Sequence, residues 1–423
     1  MNTDVFNRYE SEVRSYCRSF PAVFTNAKNA ELFDEDGKSY IDFFCGAGAL
    51  NYGHNNDYIK RRVINYLVND GVIHSLDMYT AAKRDFLQYF GDNVLKPRGL
   101  DYKVQFPGPT GTNAVEAALK LARKVTKRSG VFALMGAFHG MTLGALALTT
   151  DRASRAGAGV SMGDVTFVPA PYMYPELDTV DYIENLLTDD HSGADLPAAI
   201  VIETVQAEGG VYVFPNSFLT RIRSLCDKYG ILLIIDDIQV GCARTGTFFS
   251  FERAGIAPDI AVLSKSIGGY GFPFALTLIK PEYDIWSPGE HNGTFRGNQI
   301  AFVAAKAGLE YMLNENVEKE TQRKSALAME YITNEILPLD ERLKLRGIGL
   351  ILGIDMTDLG GDSASLAVMK SCFKKGVIAE RAGRDNAVFK IMPALTIEDE
   401  KLLYGLSIVK DCIKNYLANR EVK

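Results

Sequence analysis

The feature that most constrains the fold is a series of short apolar segments in the middle of the chain, separated by amphipathic stretches. The segments are VFALMGAF (131–138), AAIVIETV (198–205), ILLIIDDI (231–238), DIAVLSK (259–265) and FALTLI (274–279). They are rich in β-branched residues and too uniformly apolar to have a solvated face. Strands of this kind are typical of parallel sheets that helices cover on both sides. The alternation therefore predicts a doubly wound α/β core.

The stretches between these segments have helical periodicity. Between Asn216 and Tyr229 the apolar residues fall on one helical face, and Gly230 follows as a helix stop. A second stretch, Thr112–Lys124, has the same pattern and predicts another helix.

The composition excludes several classes of protein. The 423 residues carry 46 Lys and Arg against 52 Asp and Glu, so no global positive charge attracts nucleic acid or an anionic membrane. No apolar run approaches the length of about 20 residues that spans a membrane, and the polar N-terminus is unlike a secretory signal. The six cysteines form no CxxC pair and are expected to be reduced. We expect a cytoplasmic enzyme.

The two ends of the chain have a different pattern from its middle. The segment ELFDEDGKSYIDF predicts a hairpin with its turn at Asp36 and Gly37, and helical patterns followed by short strands return after residue 312. We predict a large domain of residues 60–311 and a small α+β domain built from residues 1–59 and 312–423.

Two glycine-containing motifs match nucleotide sites poorly. Gly46 and Gly48 could begin a dinucleotide fingerprint, but Asn51 stands in place of its third glycine. The segment Gly37–Ser39 lacks the first glycine of a P-loop, because Leu32 stands there. A nicotinamide oxidoreductase and a P-loop site are therefore disfavoured.

Two other segments each suggest part of a binding site. In PGPTGTNAVEAALKLARK, Gly111 and Thr112 stand where a loop becomes a helix, and the free N–H groups there can bind phosphate. An ordinary capped helix is the alternative. In ILLIIDDIQVG, Asp236 and Asp237 end a buried strand, at the edge where open α/β sheets bind ligands. A helix cap or a metal pair is the alternative.

Lys265 closes the apolar segment DIAVLSK. Most lysines at strand ends are solvated, but burial among apolar groups lowers the pKa of a lysine and makes it a nucleophile. The five histidines show no paired ligand spacing, so no metal site is predicted. A phosphate cradle, an acid and a nucleophilic lysine on one sheet edge are the parts that pyridoxal 5'-phosphate (PLP) needs. Together they predict this cofactor.

The segments GPTGTNAVEAALKLAR, GAFHG, ETVQAEGG, LLIIDDIQVGCARTG, APDIAVLSKSIGGYGFP and HNGTFRGNQIA, in this order, resemble class III aminotransferases of PLP fold type I. The similarity extends over nearly the whole chain. Within the family, the N-terminal ESEVRSYCRSFPAVF and the later GEHNGTFRGN look like the subgroup of ectoine synthesis, which acts on L-2,4-diaminobutyrate. The resemblance implies a mostly parallel central sheet in the large domain and a small α+β domain from both chain ends.

The resemblance also implies a role for each matching residue around the cofactor. Lys265 would hold the aldehyde and move the catalytic proton, Asp236 would pair with the pyridinium nitrogen, and Gln239 would hydrogen-bond the ring 3-oxygen. Ile238 would cover one face of the ring, and Phe138 would stack on the other.

Further matches concern the phosphate and a partner subunit. Gly111 and Thr112 match the phosphate loop, and Glu203 matches an acid that supports the hydrogen bonds beside the ring. Thr294 matches a threonine that reaches the phosphate from the neighbouring subunit, which implies a homodimer or a dimer of dimers.

The substrate end departs from the common family pattern. Lys390 stands where many relatives have an arginine that grips the α-carboxylate of glutamate or 2-oxoglutarate, and lysine cannot grip it bidentately. Glu208 matches a glutamate that swings away to free that arginine. Arg296 is a candidate substitute for the grip, with a surface or interface arginine as the alternative. Ala207 replaces the usual glycine, and we expect it to change the pocket shape modestly.

The resemblance implies a transaminase that moves an amino group from L-glutamate to L-aspartate 4-semialdehyde, giving L-2,4-diaminobutyrate and 2-oxoglutarate by a ping-pong mechanism. One alternative is a sibling aminotransferase acting on 4-aminobutyrate, ornithine or acetylornithine, or an enzyme of a specialised pathway. Another is a semialdehyde aminomutase, which needs no external 2-oxo acid. A non-catalytic binding module is disfavoured because Lys265 and Asp236 are both present.

Overall fold

The computed structural model describes residues 3–421, and its strands fall into three main sheets and one short ribbon. The strands are β1 (Phe24–Lys28), β2 (Glu31–Asp34), β3 (Ser39–Asp42), β4 (Lys103–Gln105), β5 (Val131–Leu134), β6 (Val165–Val168), β7 (Ala199–Ile202), β8 (Val205–Gln206), β9 (Tyr212–Val213), β10 (Leu232–Asp236), β11 (Ile260–Leu263), β12 (Leu276–Ile279), β13 (Lys344–Ile348), β14 (Ile351–Asp355), β15 (Val377–Ile378), β16 (Glu380–Ala382) and β17 (Val388–Ile391).

Helices cover the sheets and connect most of the strands. They are α1 (Asp4–Tyr9), α2 (Tyr16–Ser19), α3 (Cys45–Gly48), α4 (Asp57–Val68), α5 (Ala81–Phe90), α6 (Gly111–Thr126), α7 (Leu143–Leu148), α8 (Arg152–Ala156), α9 (Thr179–Thr188), α10 (Asn216–Tyr229), α11 (Gln299–Asn314), α12 (Val317–Tyr331), α13 (Asp362–Lys374) and α14 (Asp399–Glu421). In the described part of the chain, no helix is both long enough and apolar enough to cross a membrane.

The central sheet has seven strands in the order β4-β12-β11-β10-β7-β5-β6. Strands β11, β10, β7, β5 and β6 run parallel to one another, and each is buried on both faces or nearly so. This confirms the α/β core predicted from the apolar segments. The expectation that FALTLI also runs parallel is wrong, because β12 is antiparallel to β11. The connection between them contains only a 3₁₀ turn, and a parallel crossover usually needs a helix.

The two helices predicted from their periodicity are present. Helix α10 spans Asn216–Tyr229, as predicted, and ends at Gly230, whose φ of 60° is the left-handed conformation that glycine adopts without strain. Helix α6 extends slightly beyond the predicted stretch, from Gly111 to Thr126, with Thr110 as its N-cap residue. Its N-terminus lies at the carboxyl edge of the central sheet, where it lines the pocket described below.

The two ends of the chain are joined in one sheet. Strand β15 pairs in parallel with β3, so that Val377 lies opposite Ile41, and the order of this sheet is β1-β2-β3-β15. Strands β2 and β3 form the predicted hairpin. A second sheet, in the order β13-β14-β17-β16, belongs to the C-terminal part. The domain boundaries at residues 59 and 311 stay predictions.

Arg244 links the loop after β10 to segments from both ends of the chain. Its guanidinium is fully buried and donates to the carbonyl oxygens of Leu350 and Pro393 at 2.8 and 2.5 Å and to Asn51 Oδ1 at 2.5 Å. Asn51, which interrupts the glycine pattern of residues 46–51, therefore has a packing role. A buried guanidinium with several acceptors holds these segments in a fixed arrangement.

Candidate active site

A pocket opens at the carboxyl ends of β10 and β11. This is the position at which open α/β sheets bind ligands. The residues that line the pocket are Gly111, Thr112, Phe138, His139, Gly140, Glu203, Glu208, Asp236, Ile238, Gln239, Val240 and Lys265. Nine of the site residues predicted from the sequence are among them.

One end of the pocket is formed by the N-terminus of α6. The first amide groups of a helix have no partners within it and point outward, where they can bind an anion. A Cβ atom on Gly111 would lie 2.8 Å from Ile238 Cδ1, so a larger residue there would displace the Ile238 side chain. A Cβ atom on Gly140 would lie 2.4 Å from Thr112 Oγ1, and the φ of 135° at Gly140 also favours glycine. Side chains therefore pack closely against both glycines at this end.

Asp236 and Asp237 point to opposite sides of the sheet, because successive side chains of a strand alternate. Asp236 faces the pocket and lies 2.7 Å from Nδ1 of His139, which is fully buried. Burial lowers the pKa of His139, but the hydrogen bond and the charge of Asp236 outweigh it and raise this pKa above its ordinary value. The histidine therefore supports the carboxylate as a hydrogen-bond donor.

His139 was not predicted as a site residue. It belongs to the GAFHG motif, from which only Phe138 was assigned a role. The spacing between His139 and Asp236 in the sequence gives no sign of their contact, which depends on the packing of the loop after β5 against the end of β10.

Asp237 lies away from the pocket and forms no metal pair with Asp236. Its carboxylate accepts a hydrogen bond from the backbone N–H of Ser250 at 3.0 Å. Burial raises the pKa of Asp237 to about 7. Among the described residues, the one cluster with metal-ligand geometry is Asp189, Asp190 and His191, which is exposed and does not line the pocket.

Lys265 follows the end of β11 and lines the pocket. Its φ of 53° is a left-handed conformation that is rare for residues with a side chain, and such residues cluster at functional sites. Burial lowers the pKa of Lys265, and the charge of Lys390 adds to this effect against the opposing charges of Glu208, Glu380 and Asp236. A lowered pKa makes the amine available as a nucleophile.

Phe138 and Ile238 provide apolar walls of the pocket. The backbone N–H of Phe138 donates to Glu203 Oε1 at 3.0 Å, which fixes the start of the loop that carries it. Burial raises the pKa of Glu203 to about 8 against the opposing charge of His139, and the charge of Asp236 adds to the rise. Glu203 is therefore poised to hold a proton at neutral pH.

Gln239 lines the pocket and contacts Glu208, another lining residue. Its Nε2 donates to the carbonyl oxygen of Ala47 at 2.9 Å and to Glu208 Oε1 at 3.0 Å. Its Oε1 is buried and, like Nε2 of His139, has no hydrogen-bond partner among residues 3–421. Buried polar atoms without partners are rare, and in a pocket they indicate a missing ligand.

Glu208, which lines the pocket opposite α6, belongs to a buried charge cluster whose other members, Lys390 and Glu380, do not line the pocket. Lys390 on β17 donates to Glu208 Oε1 at 2.7 Å, and its Nζ lies 2.8 Å from Oε2 of Glu380 on β16. The lysine side chain is 0% exposed. Glu380 was not predicted, and its contact follows from the sheet register, which places it directly opposite Lys390. Burial raises the pKa of Glu208, but the charges of Lys390 and Lys265 outweigh it and lower this pKa below its ordinary value.

Thr294 and Arg296 do not line the pocket of their own chain. Arg296 forms an ion pair with Asp77 and donates to the carbonyl oxygen of His291 at 3.4 Å. Ala207 is buried beside the pocket in an apolar cluster with Val240 and does not line the pocket itself. The roles predicted for these residues stay predictions.

The arrangement of the residues in the pocket fits PLP. The N-terminus of α6 and the hydroxyl of Thr112 suit its phosphate, and Asp236 suits a protonated ring nitrogen. Phe138 and Ile238 form walls for a flat ring, and Lys265 supplies the amine for its aldehyde. The two buried polar atoms without partners belong to His139 and Gln239, which both line this pocket.

A fold of this kind with a lysine, an acid and an anion cradle on one sheet edge defines a PLP enzyme of the aminotransferase type. The family model described as aminotransferase class-III matches residues 14–413, so the chain belongs to the class-III aminotransferases. Enzymes of this family depend on PLP, which confirms the predicted family and cofactor.

The chain is also similar over nearly its whole length to curated proteins named diaminobutyrate--2-oxoglutarate transaminase. The protein from Halalkalibacterium halodurans is 51% identical over 421 residues, which are 99% of this chain and 98% of that protein. The protein from Nocardia farcinica is 52% identical over 417 residues, covering 97% and 94%. The protein from Sporosarcina pasteurii is 50% identical over 411 residues, covering 96% of each.

Solved structures share the fold at low sequence identity. The ornithine aminotransferase from Toxoplasma gondii, described with partial occupancy of PLP at its active site, superposes with a TM-score of 0.86 at 23% identity over 99% of this chain and 94% of that one. The acetylornithine aminotransferase from Elizabethkingia anophelis has a TM-score of 0.79 at 24% identity, covering 97% and 98%. These likenesses confirm the predicted fold class.

Proposed function

We propose that this aminotransferase moves an amino group between L-glutamate and L-aspartate 4-semialdehyde, giving L-2,4-diaminobutyrate and 2-oxoglutarate by a ping-pong mechanism. The observation that carries the proposal is the meeting of Lys265, Asp236 and the N-terminus of α6 in one pocket. The choice of substrate is supported by the relatives at about half identity over nearly their full length.

Each residue of the pocket has a separate role in this reaction. Bound PLP supplies an electron sink for the carbon that loses its proton. Lys265 holds the cofactor aldehyde, and its Nζ moves a proton between the substrate carbon and the cofactor. Asp236, supported by His139, keeps the ring nitrogen protonated. The N-terminus of α6 and Thr112 hold the phosphate.

The substrate carboxylate requires a cation at the far end of the pocket. Lys390 supplies it, and Glu208 must first move away from the position in which it accepts from the lysine at 2.7 Å. Gln239 also donates to Glu208, so this movement releases the Gln239 amide at the same time.

We further propose that the enzyme works as a homodimer, or as a dimer of dimers, in the cytoplasm. Large hydrophobic side chains beside the pocket support an interface there: Met141 and Leu143 flank Thr142, which bonds Thr112, and Phe295 contacts His74. Other exposed hydrophobic residues on the segment that carries His74 are Val72, Ile73, Leu76, Met78 and Tyr79. Thr294 and Arg296 lie on the loop that carries Phe295 and reach the partner's pocket across the interface.

The test is the visible absorption of the purified protein with PLP, followed after the addition of diaminobutyrate, ornithine or 4-aminobutyrate. We expect the cofactor band to decay at least about tenfold faster with diaminobutyrate than with ornithine, because one methylene is worth about that much in a fitted pocket. Faster decay with ornithine or 4-aminobutyrate identifies a sibling aminotransferase instead. Turnover of the semialdehyde must then require glutamate, whereas an aminomutase needs no external amino donor or 2-oxo acid.

Membership of the pathway of ectoine synthesis is part of the same proposal. It is supported by the resemblance of the N-terminal segment to that subgroup. Loss of ectoine in the source cell on deletion of the gene, with recovery on addition of diaminobutyrate, is the expected outcome. Recovery without added diaminobutyrate contradicts this assignment.

A further inference from the structure

The backbone around Glu208 is held by contacts from the C-terminal part of the chain. The carbonyl oxygen of Glu208 accepts a hydrogen bond from the backbone N–H of Gly383 at 2.9 Å. The carbonyl oxygen of Gly210, two residues later, accepts one from Nε of Arg346 on β13 at 3.0 Å. Neither bond involves the Glu208 carboxylate. Its movement away from Lys390 is therefore a rotation of the side chain on a fixed backbone.

Arg346 holds the segment after Glu208 with its whole guanidinium group. Besides the bond to Gly210, the guanidinium lies over the ring of Tyr212, 3.9 Å from the ring centroid, and donates to Asp355 Oδ2 at 2.8 Å. A guanidinium can lie flat on a ring and donate hydrogen bonds from its edge at the same time, which the ammonium of a lysine cannot. Arg346 therefore fixes both Gly210 and Tyr212.

Tyr212 extends this contact to the segment before Glu208. Its ring stacks on that of Tyr172, with 3.5 Å between the centroids and 2° between the planes. The hydroxyl of Tyr172 donates to Oε1 of Gln206 at 2.8 Å. The segment from Gln206 to Tyr212 is thus held at both of its ends, and Glu208 lies between them.

The conformation of this segment is imposed by its surroundings. Val211 has a φ of 58°, a left-handed conformation that a β-branched residue adopts only where packing imposes it. Its side chain is fully buried, and a Cβ atom on Gly353 would lie 3.1 Å from Val211 Cβ. Gly353 is the residue opposite Arg346 in the pair of β13 and β14. Backbone strain of this kind, three residues after Glu208, indicates that the position of this carboxylate matters for function.

The position of Glu208 decides whether a carboxylate can bind beside the reacting carbon. Lys390, the cation proposed to hold the α-carboxylate of glutamate, is neutralised while it donates to Glu208 at 2.7 Å. Diaminobutyrate has two amines. Its α-amine stands on a carbon that bears a carboxylate, as in glutamate, whereas its γ-amine stands on a carbon that bears none. Reaction at the γ-amine is therefore favoured with Glu208 on Lys390, and reaction at the α-amine requires Glu208 to leave.

We propose that Arg346 is a positioning residue that keeps Glu208 on Lys390 and so directs the reaction of diaminobutyrate to its γ-amine. Arg346 does not line the pocket and acts through Gly210 and Tyr212. At either amine, the amino group is exchanged for the oxo oxygen of 2-oxoglutarate, which becomes glutamate. The γ-amine gives aspartate 4-semialdehyde, and the α-amine gives 4-amino-2-oxobutanoate. The inference rests on the proposed function, since it concerns which end of the same substrate reacts.

The ratio of these two products measures the role of Arg346. We expect Arg346→Gln to raise the share of 4-amino-2-oxobutanoate about tenfold, the effect of losing one hydrogen bond and one contact with a ring. Arg346→Lys keeps the charge beside Asp355, so it is expected to fold even if Arg346→Gln does not, and to give an intermediate ratio. An unchanged ratio in these variants, or equal losses of both products, would overturn the inference.

Two controls separate positioning from stability. Asp355→Asn removes the ion pair of Arg346 but leaves Gly210 and Tyr212 within its reach, so we expect lower stability and a product ratio within about twofold of the wild type. Arg342→Gln removes an exposed arginine that precedes β13 and should change neither property. A shift of the ratio in Asp355→Asn as large as in Arg346→Gln would mean that general loosening of β13 is the cause, which contradicts the proposed role.

A double variant tests whether Arg346 acts through Glu208. Glu208→Gln alone should raise the share of 4-amino-2-oxobutanoate more than Arg346→Gln does, because the negative charge on Lys390 is lost. Adding Arg346→Gln to Glu208→Gln should then change the ratio by no more than about twofold. If the two effects are additive, Arg346 acts by another route and the inference fails.

An independent readout needs no turnover. Glutarate is a dicarboxylate without an amine, and its dissociation constant can be measured by calorimetry on the holoenzyme. We expect glutarate to bind about threefold more tightly to Arg346→Gln than to the wild type, because Glu208 competes less well for Lys390. Weaker binding would indicate a damaged pocket and overturn the inference.

Ornithine distinguishes a failure of this inference from a failure of the proposed function. If the wild type prefers ornithine to diaminobutyrate, the proposed substrate is wrong, and the ratio of the α- and δ-products of ornithine then tests Arg346. If that ratio stays unchanged in Arg346→Gln, the role assigned to Arg346 is wrong as well.

Discussion

The end of the pocket at α6 is formed by backbone groups and short side chains, whereas Glu208 at the other end belongs to a cluster of three charged side chains from separate segments. At the first end, a Cβ atom on Gly111 would lie 2.8 Å from Ile238, and one on Gly140 would lie 2.4 Å from Thr112. At the second, Lys390 is held by two carboxylates, and one of them must leave before a substrate carboxylate can bind. The first end suits a group that never leaves, and the second suits groups that exchange in every cycle.

This difference has a consequence for mutations. A change at the cofactor end should affect every substrate alike, because all of them use the same cofactor. A change at the charge cluster should affect substrates according to their charge. The experiments below compare the two ends in order of decreasing effect.

The largest effect is expected for Lys265→Ala. Because its amine both holds the cofactor and moves the proton, we expect kcat to fall by about 10³-fold or more with every amino donor. The visible spectrum should also change, since the covalent attachment is lost. The control is Lys228→Ala, which removes an exposed lysine on α10. A loss confined to one substrate would contradict the proposed role of Lys265.

Lys390→Met should have a smaller effect that depends on the substrate. Glutamate loses the cation proposed to hold its α-carboxylate, so we expect kcat/KM for glutamate to fall about 10- to 100-fold. Diaminobutyrate should lose less, because the carbon through which it reacts carries no carboxylate. Lys390→Arg keeps the positive charge, so it tests the role of that charge even if Lys390→Met fails to fold. Equal losses of kcat/KM for glutamate and diaminobutyrate would contradict the expectation that changes at the charge cluster depend on the substrate.

Thr112→Val tests the cofactor end without changing any charge. Its hydroxyl lies 2.6 Å from Thr142 Oγ1 at the N-terminus of α6, and we expect its loss to weaken the binding of PLP about tenfold. Equilibrium dialysis of the cofactor measures this effect, and the preference among amino donors should stay the same. Thr126→Val, at the other end of the same helix, is the matched control. A changed substrate preference would show that the two ends are not independent.

The smallest effect concerns the dependence of stability on pH. The carboxyl of Glu203 has a pKa of about 8 in the folded protein instead of 4.5, so between these values only the folded state holds its proton. Its contribution is complete below the unfolded pKa and is lost as the pH rises towards the folded pKa, with a slope of at most about 1.4 kcal/mol per pH unit.

Urea unfolding at pH 6 and pH 7.5, at one protein concentration, should therefore show a smaller loss of stability in Glu203→Gln than in the wild type. Glu330→Gln, which removes an exposed carboxylate, should behave like the wild type. Identical pH dependence in Glu203→Gln and the wild type would mean that Glu203 is ionised in the folded protein.

Much of the molecule could be predicted from local sequence patterns. The apolar segments predicted the parallel strands because a strand buried on both faces must be apolar throughout. Helix α10 was predicted at its observed bounds, since its periodic face and Gly230 are both local signals. Gly111, Thr112, Asp236 and Lys265 were found because each follows a strand or begins a helix, and the carboxyl ends of parallel strands meet at one edge. The other cofactor residues were assigned by resemblance to the family.

Tertiary structure alone decided the features that depend on contacts between distant segments. The antiparallel direction of β12, the contact of His139 with Asp236 and the burial of Asp237 against Ser250 have no local signal. The sequence identified Lys390 as an unusual residue, but Glu380 joined it only through the register of β16 and β17. A sequence records which side chains follow one another, whereas the pairing of charges across strands depends on how the whole chain packs. That packing places Lys390 between the carboxylates of Glu208 and Glu380.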